Sequence, residues 1–160
     1  MRVGVALLIA GVLVVLASTA QAAALRPCGH YHTFRGVRYY THCGSASVTL
    51  HLRGKTYRIA GGDCEVDANG HFHVDVGSFD ADRLVGSNIN KTLRLSSFSL
   101  EAIGRSGGGK YKIVEIFYVL PGDHPPGEEA SPATVTVVGG RYGSFSARYA
   151  QPPVSGTFHC

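Results

Sequence analysis

The sequence predicts an all-β fold, an antiparallel β-sandwich or open barrel of about eight or nine short strands held by disulfides. Three observations carry this. Apolar and polar residues alternate in short runs: Val48, Leu50 and Leu52 with Thr49, His51 and Arg53, then Phe72, Val74 and Val76 with His71, His73 and Asp75. A side-chain period of two sends such sets to opposite faces of a strand, one to a core and one to solvent. Turn-forming pairs, Gly54-Lys55, Asn69-Gly70 and Gly139-Gly140, fall between the runs. Nothing after residue 24 carries a sustained helical period.

Residues 1–24 read as a signal peptide. Arg2 supplies a positive head, residues 3–17 an apolar middle, and Ala20-Gln21-Ala22 with Ala22-Ala23-Ala24 the small-residue exit. The mature chain is expected to begin at Ala23 or Leu25 and to be long enough for one core. No later apolar run approaches the roughly 20 residues that cross a bilayer as a helix, so no transmembrane segment is expected. Cys28 follows Leu25-Arg26-Pro27, whereas lipoprotein processing needs small and apolar residues there, so no lipid anchor is expected. A secreted or cell-envelope location follows.

All four cysteines, Cys28, Cys43, Cys64 and Cys160, lie after the signal. An even count in an exported chain points to disulfides, and four cysteines allow three pairings. Spacing favours Cys28 with Cys43, leaving Cys64 with Cys160. A zinc tetrad is not expected, because no C-x-x-C knuckle is present. The formal charge of +4 falls by one when Arg2 leaves. Its distribution is uneven: residues 25–62 hold Arg26, Arg35, Arg38, Arg53, Lys55 and Arg58 with no acid, while the remainder is acidic on balance. The first third is a candidate face for an anionic partner.

Residues 25–47 form a basic, aromatic hairpin unit, and residues 48–160 the sandwich. From Cys28 to Cys43 the sequence is symmetrical about Arg35-Gly36, which pairs Phe34 with Val37, His32 with Tyr39 and Tyr31 with Tyr40. A two-residue turn would leave the cysteines at a wide, hydrogen-bonded pair, so a bulge or longer turn is the alternative. Residues 48–53 and 56–60 make a second hairpin. The stretch 57–77 adds a Gly61-Gly62 kink, Cys64 and two further strands around Asn69-Gly70. Residues 78–91 read as a loop with one helical turn near 80–84. Residues 92–100 read as a strand bulged near Ser96-Ser97, because Phe98 and Leu100 are out of step with Leu93 and Leu95. After a Ser/Gly turn at 104–109, residues 110–120 are apolar on both faces from Ile113 onward, as in a central, most buried strand. Residues 121–132 read as an exposed proline loop. Residues 134–138 and 141–150 make another hairpin, and 154–160 a terminal strand.

Gly54, Gly61 to Cys64, Asn69-Gly70 to Gly77, Gly140-Arg141-Tyr142, the small residues after Gly143, Pro152-Pro153 and the cysteine-ending strand 154–160 resemble the mycobacterial nineteen-kilodalton lipoprotein antigens. The resemblance spans about residues 48–160. It implies an actinobacterial envelope protein and supports joining Cys64 to Cys160, but supplies no catalytic residues. The lipid-bearing cysteine of that family is missing here, and the hairpin between Cys28 and Cys43 is additional.

Four patterns bear on chemistry. Gly104-Arg105-Ser106-Gly107-Gly108 fits G-x-S-x-G, but a hydrolase elbow needs a helix after the serine and a strand follows. The same turn lacks the Ser or Thr of a phosphate loop, since Tyr111 stands there. Asn90-Lys91-Thr92 fits a glycosylation triplet without meaning in an actinobacterial protein. His71 and His73 project from one strand face about 7 Å apart, with Asp75 next in line, a geometry suited to weakly bound zinc or copper; otherwise no cofactor is expected. His30-x-His32 repeats the spacing. The leading candidate is the cluster Tyr31, His32, Phe34, Arg35, Arg38, Tyr39 and Tyr40. Aromatic rings bind sugar faces or protein surfaces, and arginines fork onto carboxylate, sulfate or phosphate. The same residues would also serve as a packed lid, one strand face doing each. The sequence therefore reads as a non-enzymatic binding protein whose partner is a cell-wall glycan or a host or envelope protein. No set of acid, base and nucleophile emerges, and a chain of such modest charge is not expected to bind nucleic acid.

Overall fold

A computed structural model describes residues 28–34, 36–80, 95–106, 109–121 and 128–160. The expected signal peptide, the helical turn at 80–84 beyond Asp80, and Asn90-Lys91-Thr92 lie outside the described residues. The described residues form twelve strands: β1 (Tyr31–Phe34), β2 (Val37–Thr41), β3 (Ser47–Leu52), β4 (Lys55–Ala60), β5 (Gly62–Val66), β6 (Phe72–Asp80), β7 (Ser97–Ser106), β8 (Lys110–Val119), β9 (Glu128–Ala130), β10 (Thr134–Val138), β11 (Tyr142–Ala147) and β12 (Val154–His159). No helix occurs among the described residues.

The strands form two antiparallel layers. In the first, β6, β7 and β8 pair in order, with β5 and then β2 along the free edge of β6 and β9 on β8. In the second, β10, β11, β12, β3 and β4 pair in order. The layers meet on one side through the pairing of Lys110 with Thr136. On the other side the chain itself turns the corner from β4 into β5 at Gly61. Gly61 has φ +86, a region that L side chains resist, and its N–H donates to Ala46 O (3.1 Å) while its O accepts from Gly77 N–H (2.8 Å).

Strand alternation fills the space between the layers. Val48, Leu50 and Leu52, Phe72, Val74 and Val76, Phe98 and Leu100, and Val114, Ile116 and Tyr118 are all buried. Each such side chain contributes on the order of 1.5–3 kcal/mol. Rings from opposite layers meet: Phe72 and Phe158 have centroids 5.4 Å apart, Phe98 and Phe145 4.8 Å. The Phe145 and Phe158 rings lie over cross-strand glycines. A Cβ at Gly156 would stand 2.5 Å from the Phe145 ring and 2.2 Å from Thr49 O, and one at Gly143 2.5 Å from the Phe158 ring. Aromatic side chains thus occupy the volume that a second side chain would need.

Both disulfides follow the spacing: Cys28 joins Cys43 and Cys64 joins Cys160. The register Tyr31 with Tyr40 through Phe34 with Val37 also matches the symmetry of the sequence. Beyond Tyr31 the ladder slips by one residue, because Gly29, at φ +82, donates its N–H to Thr41 O (2.8 Å). That slip relieves the parity problem of the cysteines.

Several expectations need correction. The described residues alone hold twelve strands, where eight or nine are expected. The proline loop at 121–132 ends in β9, because the outer edge of β8 needs backbone partners and Ala130 finds burial there. β7 runs on to Ser106 instead of ending near residue 100. Ile113 is 53% exposed, since alternation along β8 turns it outward, and burial on both faces is reached only at Tyr118, Val119 and Leu120. Around Ser96-Ser97 the period does break. Leu95 packs with Tyr39 and Phe98 with the main core, while Ser96 O accepts from Ser78 N–H (2.7 Å).

Candidate functional site

β1 and β2 extend the first layer through pairing of Tyr39, Tyr40 and Thr41 with Asp80, Phe79 and Ser78. Thr41 and Ser78 hydroxyls add a 2.8 Å hydrogen bond. Alternation splits the hairpin in two. His32, Phe34, Val37 and Tyr39 share one face, and Phe34 and Val37 pack against a small cluster of Tyr39 and Leu95. Tyr39 is 3% exposed and cannot meet a partner without moving. Tyr31, Thr33, Arg38 and Tyr40 share the other face.

On that outer face the rings form a continuous strip. Tyr31 lies 5.1 Å from Tyr40 between centroids, Tyr40 lies 5.1 Å from His42 and 5.8 Å from Phe79, and His42 lies 5.5 Å from Phe79. The Arg38 guanidinium sits 5.3 Å from the Tyr31 ring centre, within cation–π range. Tyr31 is 60% exposed at the outer end. Of the seven residues the sequence singled out, Tyr31, Arg38 and Tyr40 come together here, His32, Phe34 and Tyr39 line the packed face, and Arg35 lies outside the described residues. His42 and Phe79 were not anticipated. Phe79 meets Tyr40 through the pairing of β2 with β6, which spacing within either strand does not show.

A second cluster lies on the outer face of the same layer, where β5 turns into β6. Asp67, His71 and His73 each offer one ligand atom, all within 4.8 Å of one another. Asp67 Oδ2 is 3.6 Å from His71 Nδ1 and 3.7 Å from His73 Nε2, and Glu101 Oε1 is 3.6 Å from His71 Nδ1. Asp67 Oδ1 accepts the backbone N–H groups of Asn69 (2.8 Å) and His71 (2.9 Å). The His71 N–H bond is the main cause holding the Asp67 carboxyl below its ordinary value, against a smaller opposing effect of burial and with help from Asn69 and the nearby His71 ring. Asp75, the expected third member, pairs instead with Asp63 and Ser99 and does not join the group. The missing signal was Asp67-Ala68-Asn69-Gly70, an Asx-turn pattern that carries a carboxylate back over the strand that follows.

A shallow cleft of about 390 Å³ is lined by Pro132, Ala133, Thr134, Ser146, Arg148 and Tyr149. Of the G-x-S-x-G stretch, Gly107 and Gly108 lie outside the described residues, and β8 begins at Lys110 directly after it.

Fold and disulfides define an all-β, cross-linked domain of a kind suited to an oxidising, extracytoplasmic compartment. No helix among the described residues is long and apolar enough to cross a membrane. Comparison of the chain with protein-family models, with curated proteins and with solved structures gives no match.

Proposed function

We propose that this is a secreted or envelope-associated, non-enzymatic recognition protein, related to the nineteen-kilodalton antigens it resembles, that holds a cell-wall glycan against the outer face of its N-terminal hairpin. The observation that carries this reading is the strip Tyr31, Tyr40, His42 and Phe79 with Arg38 beside it. Rings spaced 5–6 Å apart along a sheet face offer successive apolar platforms to a polymer of sugar rings. The basic first third of the chain suits a glycan bearing carboxylate or phosphate. The disulfide and the packed rear face hold the strip before any partner arrives, which lowers the ordering cost of binding.

The test is retention on purified cell-wall glycan by wild type and by Tyr31→Ala, Arg38→Ala and Tyr40→Ala. Each single change should weaken binding roughly tenfold, the effect of losing about 1.4 kcal/mol. Tyr149→Ala, at a ring outside the hairpin, should bind as wild type. A triple variant that keeps its fold and is retained undiminished would reject the assignment.

A further inference from the structure

We propose that Asp67, His71 and His73 form a zinc site, with Glu101 as the nearest further donor. This rests on observations separate from the aromatic strip. Two imidazoles and a carboxylate are a recurrent three-ligand set for this cation, which takes a fourth donor from protein or water. Tetrahedral zinc with bonds of about 2.0–2.1 Å sets its ligand atoms about 3.3–3.4 Å apart, whereas a square-planar arrangement brings neighbouring donors to about 2.9 Å. The Asp67 oxygen stands 3.6 and 3.7 Å from the two imidazole nitrogens, a few tenths of an ångström outside the tetrahedral spacing, and the three ligand atoms together lie within 4.8 Å of one another. Glu101 stands at the same 3.6 Å from His71 Nδ1.

The site is also oriented in advance. Oδ1 of Asp67 accepts the Asn69 and His71 N–H groups, and Oδ2, which also accepts a 3.5 Å hydrogen bond from Asn69 Nδ2, is the atom turned to both imidazoles. His71, the residue just before β6, lies two positions from His73, and pairing places Glu65 and Glu101 on either side of His73. This acidic surround favours a cation over an anion. The three side chains are 23–29% exposed, so a hydrated ion can reach them and shed its water on one side. Because Asp67 lies beyond the end of β5 and both histidines lie at the start of β6, a bound ion would clamp the turn between them.

The experiment is calorimetric titration of untagged, metal-stripped protein with Zn²⁺ alone, paired with thermal melts. Wild type should bind one equivalent and melt higher with zinc. His71→Gln and His73→Gln should each weaken binding by at least roughly tenfold and abolish the melting shift, Asp67→Asn should do the same, and Glu101→Gln should weaken it less. Asp75→Asn and the double change His30→Gln/His32→Gln should bind as wild type. Circular dichroism of each variant separates lost binding from lost folding, and the melting shift offers a second reading wherever a variant is destabilised. No saturable binding to wild type, binding that survives His73→Gln in a folded protein, or binding that depends on Asp75 or on His30 and His32 would overturn the assignment.

Discussion

Removing the two disulfides separately should expose very different contributions to stability. Cys64 and Cys160 are 96 residues apart in sequence, Cys28 and Cys43 only 15. In the loop-entropy account, cross-links of these spans withhold about 4.7 and about 3 kcal/mol of chain freedom from the unfolded state. Packing widens the gap, because Cys64 and Cys160 both lie against the main core, whereas Cys28 and Cys43 close a hairpin backed by a separate cluster. The variants to compare are Cys64→Ala/Cys160→Ala and Cys28→Ala/Cys43→Ala, by urea unfolding followed by far-ultraviolet circular dichroism. With a slope of about 2 kcal/mol per molar urea, the midpoint should drop by roughly 2.4 M for the long cross-link and roughly 1.5 M for the short one. A loss of the larger size is comparable to the whole stability of many domains, about 5–15 kcal/mol. Equal midpoint shifts, or a larger one for the hairpin pair, would refute the reasoning.

Two further outcomes follow from single residues. Asp67 titrates below its ordinary value of 3.8, so its charged form favours the folded chain; that stabilisation is present above 3.8 and lost as pH falls through the depressed value. In chelator, Asp67→Asn should melt below wild type at neutral pH, and the difference should close in strong acid; a gap that is unchanged by pH would contradict this. Gly156→Ala should destabilise by about 1–3 kcal/mol or more, since its Cβ meets the Phe145 ring and the Thr49 carbonyl; an unshifted urea midpoint would show that the layers are not packed so closely there.

Much of the scaffold was legible because local rules and the global fold agree. The mirror symmetry about Arg35-Gly36 gave the hairpin register, and the alternation at Val48 to Arg53 gave β3, since a half-buried strand must expose every second residue. The aromatic strip was half legible. Period two predicts that Tyr31 and Tyr40 share a face, but not which face the core takes, and Phe79 joins them only through a long-range pairing of β2 with β6. The histidine cluster shows the same limit. His71 and His73 are set by their own strand, while Asp67 arrives by the geometry of a turn and Glu101 by the neighbouring strand, neither visible in spacing alone. β9 escaped notice because three residues after a proline-rich stretch carry no period, and the need for it lies in the edge of β8.

The corner at Gly61 bears on how the molecule opens. One uninterrupted run of chain hydrogen-bonds to β3 in one layer before the corner and to β6 in the other after it. Neither layer can therefore detach without straining the other, and a hinge of the kind that divides many two-sheet proteins has no place to form on that side. The amide hydrogens of β4 that pair with β3 and those of β5 that pair with β6 would then exchange with solvent in step with one another, while those of β1, at the far edge of the first layer, exchange by local fraying.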